Sequence, residues 1–462
     1  MNSTQSDAFV FFGATGDLAY KKIFPALQAL VKSGELNVPI IAVARDDWTL
    51  ERLQSRAKES LENNGGMEPE SFSKLIKLLG YVKGDYNDPA TYKNLKQALK
   101  NALRPLHYMA IPPSMFPVVV KGLETSGCAA DARIIIEKPF GRDLASAREL
   151  NRILHSVFME QAIFRIDHYL AKEAVQNLIY FRFANAIFEP IWSRNFIDSI
   201  QITMAESFGV EGRGSFYEET GAIRDVIQNH LLQVTALLAM EAPTGHDAPS
   251  IQAEKLQVMR AMRPLDPLEV VRGQFRTYHE EKGVAVGSNV ETFAALRLHI
   301  DTWRWAGVPF YIRAGKSLAV SSTEVVVDFK LPPLHLFDEV GAAQSNYFRF
   351  RLSPDVMIAA GIRVKHTGAE MRGESVELTL RQQPTPGDLP YVRLLGDAVR
   401  GDAALFTSGD NVEAAWAVVD PLLHMTEKVM PYEEGSWGPP PPDKIVMGEE
   451  GWHNPNPAGG ET

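Results

Sequence analysis

Cysteine is almost missing from this sequence: Cys128 stands alone in 462 residues. No disulfide can form within one chain, and such usage fits a reducing compartment. Positive charge is also in short supply, with 47 Lys and Arg against 57 Asp and Glu, a formal net charge of −10. That balance argues against a broad nucleic-acid surface or a polybasic membrane patch, while leaving room for a local basic pocket around one phosphate. No apolar run reaches the length that spans a bilayer. The opening MNSTQSDAFVFFGATGD has no basic segment ahead of its short apolar run, so no secretory signal is expected and a cytoplasmic location is. Internal repeats and long low-complexity linkers are absent; only the stretch from Gly435, beginning GSWGPPPPDK, is rich in Pro and Gly. What is present is ordinary globular material, 45% apolar and 23% charged, in a chain long enough for two or more domains.

Short apolar runs alternate with helical patterns in the first third of the chain. Phe9–Phe12, Pro39–Arg45, LGYVKGDY, LHYMAI and RIIIEKPFG read as strands, with helical stretches such as YKNLKQALKNAL between them. Leu18, Phe24, Leu27 and Leu30 recur at helical spacing; Pro25 marks the first turns or a kink, and Gly34 a stop. This alternation predicts a parallel, doubly wound sheet with helices on both faces. Beyond about Phe183 the texture changes. SIQITMAESF, EVVVDFK, NYFRFRL, MIAAGIRVKH and SVELTLRQQ read as strands with few helices between them, the pattern of a larger, mainly antiparallel sheet.

In FFGATGDLA, Gly13 and Gly16 lie just after a strand and just before a helix. Glycines there let backbone N–H groups approach a pyrophosphate at the positive end of the helix. The spacing G-x-x-G-x-x-A falls short of the full G-x-G-x-x-G, and a glycine at such a turn can serve the backbone alone. Position in the first strand–turn–helix unit favours dinucleotide binding. The second strand ends in AVARDDW. Arg45 could hold a ribose 2′-phosphate, the mark of NADP, and Thr15 could add a hydroxyl; Asp46 could accept from a free 2′-hydroxyl, the mark of NAD. Both cofactors stay open, with a lean to NADP. In EKPFG, Lys138 ends a strand at the edge where ligands of open α/β sheets bind, and Pro139 keeps it out of helical geometry.

The stretch RIDHYLAKEAVQN crowds polar groups between two apolar segments. Leu170, Ala174, Leu178 and Phe181 form one helical stripe, so His168 and Tyr169 are expected at a helix N-terminus with Lys172 one turn in. Imidazole, hydroxyl and ammonium there suit a phosphate; a salt bridge from Lys172 to Glu173 is the plainer alternative. Asp167 is a candidate to orient a histidine elsewhere. In GAIRDVIQNHLLQV, Ile223, Ile227, His230 and Val234 share an α-helical stripe. A histidine on an apolar face is usually a packed core residue. Here Asp225, about 140° around the same helix in α geometry, and Glu206 after IQITMA add carboxylates that suit a polyhydroxy ligand. A neutral histidine there can take a proton near neutral pH. Lys316, in YIRAGKSL, closes the candidates; no metal site is expected.

Taken together, GATGDLAYKKIFPAL, EKPFG, RIDHYLAKEAVQN, GAIRDVIQNHLLQ, RWAGVPFYIRAGK, DAVRGDAALF and GSWGP, in this order, closely resemble the glucose-6-phosphate dehydrogenase family over nearly the whole chain. The resemblance implies an α/β, Rossmann-like dinucleotide-binding domain over 1–175, a larger α+β substrate-binding and oligomerisation domain with a mainly antiparallel sheet over 176–440, and an irregular tail over 441–462. It implies oxidation of β-D-glucose 6-phosphate at C1, with NADP or NAD as acceptor, in a homodimer or homotetramer. His230 would be the general base and Asp167 its orienting carboxylate. His168, Tyr169 and Lys172 would hold the 6-phosphate or nearby oxygens, Glu206 and Asp225 sugar hydroxyls, and Lys316 the sugar. Lys138 would bridge substrate and nicotinamide, and Pro139 would fix the cofactor. Gly13, Thr15, Gly16, Asp17, Leu18 and Arg45 would form the dinucleotide site with Tyr86 nearby. The chain departs from the family in three places. Val320 and Ser321 stand where a second basic residue is common, Tyr20 replaces a basic residue of the first loop, and the match is loose between Pro354 and Leu380. Another sugar oxidoreductase and a non-catalytic assembly homologue are the competing readings.

Overall fold

The computed structural model describes residues 5–334, 336–337, 345–368, 371–382, 389–440 and 451–456. Strand β1 (Ala8–Phe12) is apolar and buried on both faces, as a strand covered by helices on either side must be. It is followed by β2 (Ile40–Ala44), β3 (Leu79–Lys83), β4 (Pro105–Met109), β5 (Arg133–Glu137) and β6 (Ile163–Ile166). They form one sheet in the order β3-β2-β1-β4-β5-β6, every pair parallel. Strand order reverses direction between β1 and β4, which opens a crevice beyond their C-terminal ends. All the expected strands of this half are present. The helix after β1 has an unexpected start: Asp17 and Leu18 open it, Ala19–Ile23 is wound as a π-helix, and α geometry resumes over Phe24–Ser33. Pro25, with no N–H for the preceding turn, sits at the head of the α segment. Gly34 closes it at φ 79°.

Contacts divide the chain into two units. The first comprises Met1–Lys172, Pro243–Gln252 and Pro386–Glu413. Its core includes late residues, because Leu394, Leu395, Ala398 and Val399 of the helix Pro390–Arg400, with Phe406, pack beside Leu27, Leu30 and Phe164.

The second unit comprises Glu173–Ala242, Ala253–Thr385 and Ala414–Thr462. Its strands are β7 (Ile197–Ala205), β8 (Val270–Phe275), β9 (Phe293–Leu298), β10 (Phe310–Gly315), β11 (Ser322–Phe329), β12 (Tyr347–Ser353), β13 (Val356–Lys365), β14 (Gly373–Gln382) and β15 (Met430–Tyr432). The nine run β14-β13-β12-β11-β7-β10-β9-β8-β15. Only β7–β10 and β8–β15 are parallel; the other pairs are antiparallel, as expected for this half. The expected tail from 441 lies outside the described residues apart from 451–456, which carry no regular secondary structure. Those six residues are tied to the sheet. Arg313 of β10 lies 4.7 Å from the rings of both Trp437 and Trp452 and donates to the His453 carbonyl at 2.9 Å. Among the described residues, no helix is long and apolar enough to cross a membrane.

Candidate active site

In the first unit, parallel strands bring every candidate to one edge of the sheet. Gly13 leaves β1 at φ 81°, and a Cβ there would lie 2.0 Å from the Ala110 carbonyl oxygen, so only glycine fits. The Tyr86 hydroxyl accepts from Gly13 N–H at 2.9 Å and donates to the Val43 carbonyl at 3.3 Å. Tyr86 therefore braces the loop from behind, and burial raises its phenol pKa. Gly16 N–H returns to the Gly13 carbonyl at 3.0 Å and closes the turn before Asp17 and Leu18 open the helix. Asp17 is exposed and lies 3.5 Å from Lys21. Arg45 and Asp46 follow β2 on the same edge, and Thr15 donates to Asp46 Oδ2 at 2.6 Å.

Glu137 of β5 pairs with Ile166 of β6, so Lys138 and Asp167, each one residue further on, leave adjacent strand ends. The Lys138–Pro139 peptide is cis. Glu137, which the sequence reading passed over, is a strongly perturbed acid. Burial pushes its carboxyl up to about 7, helped by Asp167 and opposed by the Tyr108 and Tyr391 hydroxyls and by Lys138.

The expected helix start at His168 and Tyr169 is absent. Residues 168–172 form a turn, and the helix begins at Glu173, so Lys172 stands just before it rather than one turn in. The Asp167 side chain accepts from Tyr169 N–H at 3.0 Å and its carbonyl from Leu170 N–H at 3.1 Å, and Lys172 N–H returns to the Tyr169 carbonyl at 3.1 Å, so the backbone closes i→i+3 turns before α winding starts. Lys172 Nζ lies 3.7 Å above the Tyr169 ring, which holds an ammonium at the positive end of the following helix. Arg165 faces away into a buried cluster, donating to Glu160 at 2.8 Å and Asn151 at 2.9 Å. The crowded stretch is thus a salt-bridged anchor followed by a polar turn.

The second unit gathers its four candidates by register and by an unusual helix. β7 and β10 are parallel with Ala205 opposite Gly315, so Glu206 and Lys316, the next residue on each strand, meet in a salt bridge. Lys316 is buried and its ammonium also lies 5.1 Å from the Phe208 ring and 5.7 Å from that of Tyr217. Ser321, at the place of the missing basic residue, instead bonds Ser207 at 2.8 Å. The segment Ile223–Leu231 is a π-helix, between an α-helix at Gly214–Ala222 and another at Leu232–Ala239. The α stripe expected there is corrected accordingly. The Asn229 amide donates to the Arg224 carbonyl at 2.9 Å, and its Oδ1 accepts from His230 N–H at 2.7 Å, so one side chain spans the wide turn. With i→i+5 winding, Asp225 and His230 come onto one face instead of about 140° apart. His230 is buried.

Two further side chains escaped sequence reading. Tyr217 is buried, and burial together with Asp225, Glu291 and Glu206 raises its phenol pKa. Glu291 accepts from Ile223 N–H at 3.2 Å at the head of the π-helix, beside Gly221 at φ 61° and ψ 177°. Neither has a motif around it; Gly221 before an apolar run was the only available sign.

Comparison with known proteins shows the family. Residues 10–177 match the family model described as "Glucose-6-phosphate dehydrogenase, NAD binding domain". Residues 179–453 match "Glucose-6-phosphate dehydrogenase, C-terminal domain". Glucose-6-phosphate 1-dehydrogenase 1 of Mycobacterium tuberculosis is 42% identical over 454 residues, 97% of each chain. Cytoplasmic glucose-6-phosphate 1-dehydrogenase 5 of Arabidopsis thaliana is 39% identical, covering 96% of this chain and 92% of its own. The crystal structure of glucose-6-phosphate 1-dehydrogenase from Mycobacterium avium superposes with a TM-score of 0.90 at 42% identity, covering 97% of this chain and 99% of that one. A glucose-6-phosphate dehydrogenase solved with its substrate glucose 6-phosphate gives 0.88 at 33% identity, covering 98% and 100%. An oxidoreductase with a nicotinamide-binding domain is what these matches describe, and the chain belongs to the glucose-6-phosphate dehydrogenase family.

Proposed function

We propose that the protein oxidises β-D-glucose 6-phosphate at C1 to 6-phospho-D-glucono-1,5-lactone, the first step of the oxidative pentose phosphate pathway. The observation that carries this reading is the π-helix with Asp225 and His230 on one face, in a chain that matches the family from end to end. His230 is then the base that takes the C1 hydroxyl proton, and Asp167 is its carboxylate partner. His168, Tyr169 and Lys172 hold the 6-phosphate; Glu206, Asp225 and Lys316 hold sugar oxygens. Lys138 and Pro139 position the reacting carbon against the acceptor.

A nicotinamide dinucleotide fits the first unit, because Gly13 and Gly16 add no side chain at their own positions in the loop at a helix N-terminus beside the β1–β4 crevice. When bound it supplies the hydride acceptor. NADP is the proposed acceptor, with NAD able to replace it; Arg45 is the residue for a 2′-phosphate, and Thr15, Asp17 and Leu18 line the loop. A cytoplasmic location is proposed on the likeness to the Arabidopsis relative. A homodimer or homotetramer is proposed to form through the β13–β14 end of the large sheet, where Ile362, Val364, Leu378 and Leu380 are exposed.

Initial rates with purified protein test the reaction. Glucose 6-phosphate with NADP or NAD should yield reduced nicotinamide, and silence with both acceptors would overturn the reading.

A further inference from the structure

We propose that Asp46, held by Thr15, is the residue that sets the choice between NADP and NAD and keeps NAD usable as an acceptor. The proposal rests on the dinucleotide site proposed above.

Backbone and side chain of Asp46 are both fixed. Its carbonyl accepts from the Tyr81 hydroxyl at 2.7 Å and from Trp48 N–H at 2.9 Å. Its carboxylate accepts from the Thr15 hydroxyl at 2.6 Å, across from the glycine turn. Asp47, its neighbour, is drawn away by Lys83 at 2.7 Å. One carboxylate is therefore turned to the nucleotide loop and the other is neutralised. The second oxygen of Asp46 is placed to accept from a free ribose 2′-hydroxyl at the end of β2.

A 2′-phosphate meets the opposite situation. The hydroxyl that would donate to it is spent on a carboxylate, and that carboxylate repels it. Tyr20 brings no charge to the loop; its ring lies 4.0 Å from the Arg56 guanidinium, and its hydroxyl bonds Glu59 at 3.1 Å and Asn63 at 2.7 Å. Lys21 is partly answered by Asp17 at 3.5 Å. Arg45 works for NADP, and among the described residues its guanidinium makes no hydrogen bond or ion pair. The outcome is a contest between Arg45 and the Thr15–Asp46 pair, which removing one carboxylate should decide.

The test uses the full chain, wild type and the variants Asp46→Ser and Asp46→Asn, the second keeping size and an acceptor for Thr15 without charge. Two ratios are read: kcat/KM for NADP over NAD with glucose 6-phosphate, and Kd for NADPH over NADH without sugar. Both variants should shift each ratio toward the phosphorylated cofactor by about tenfold or more. A shift within about twofold in both variants would overturn the proposal. Wild type that binds dinucleotide but oxidises no glucose 6-phosphate would sink the reaction, not this inference, because the Kd ratio still decides it.

Discussion

Glu137 shows how a single half-buried carboxyl can couple stability to pH. Its folded-state pKa of about 7 stands above the ordinary 4.5. The folded state then holds a proton that the unfolded state has released, so stability is greatest below the unfolded value and falls as pH rises through about 7. The loss should be on the order of 2 kcal/mol. Urea unfolding at pH 5 and pH 8 checks this, and Glu137→Gln should remove most of the difference. At His230, replacement by Asn should lower turnover by orders of magnitude while binding of glucose 6-phosphate stays nearly intact, as calorimetry would show. Near-normal turnover would dismiss the base. Single residues differed in how far the sequence exposed them. Gly13, Lys138 and Lys316 were legible because each follows a recognisable strand. The Glu206–Lys316 contact was not, since it depends on the register of strands 110 residues apart in sequence. Tyr217 and Tyr391 carry no local pattern at all, and their part is visible only once their neighbours are in place.

Between residues and domains lies the helix that carries Asp225 and His230. Apolar periodicity identified a helix there but assumed α winding, and the buried set Ile223, Ile227 and Val234 fits either winding. What decides it is Asn229, whose side chain serves the wide turn at both ends. Asn229→Ala should let the segment tighten and swing His230 from Asp225. We expect kcat to fall by about tenfold or more, against a stability loss of only about 1 kcal/mol. Rates and urea midpoints measured together would show the disproportion; equal small losses would mean that the winding does not matter to catalysis. Gly221→Ala addresses the same element from its start. A Cβ there lies 2.4 Å from Glu291 Oε1 on a backbone that L residues rarely adopt, so a loss of about 3 kcal/mol or more is expected in unfolding experiments. The turn at 168–172 was misread for a similar reason. Helical spacing in the side chains does not reveal that the backbone closes i→i+3 turns, Leu170 N–H to the Asp167 carbonyl and Lys172 N–H to the Tyr169 carbonyl, before α winding begins.

At the scale of the molecule, strand content and the two sheet types were legible in the chain's texture. The order of nine strands was not, because it is set by pairings between distant segments. Residues 394–406, which complete the core of the first unit, gave no sign of belonging there. The exposed face of β14 makes a prediction at this scale. Leu378→Glu with Leu380→Glu should dissociate the proposed oligomer without unfolding the protein, as sedimentation and circular dichroism would report. An unchanged sedimentation coefficient would place the interface elsewhere.

The parallel pairing of β7 with β10 bears on how this family can vary. Glu206 and Lys316 are neighbours because two strand ends stop level, Ala205 beside Gly315. Adding or deleting one residue in either strand would send the carboxylate or the ammonium to the other side of the sheet. Lineages can therefore exchange residues at this site by point substitution, but length changes must fall in the loops beyond it.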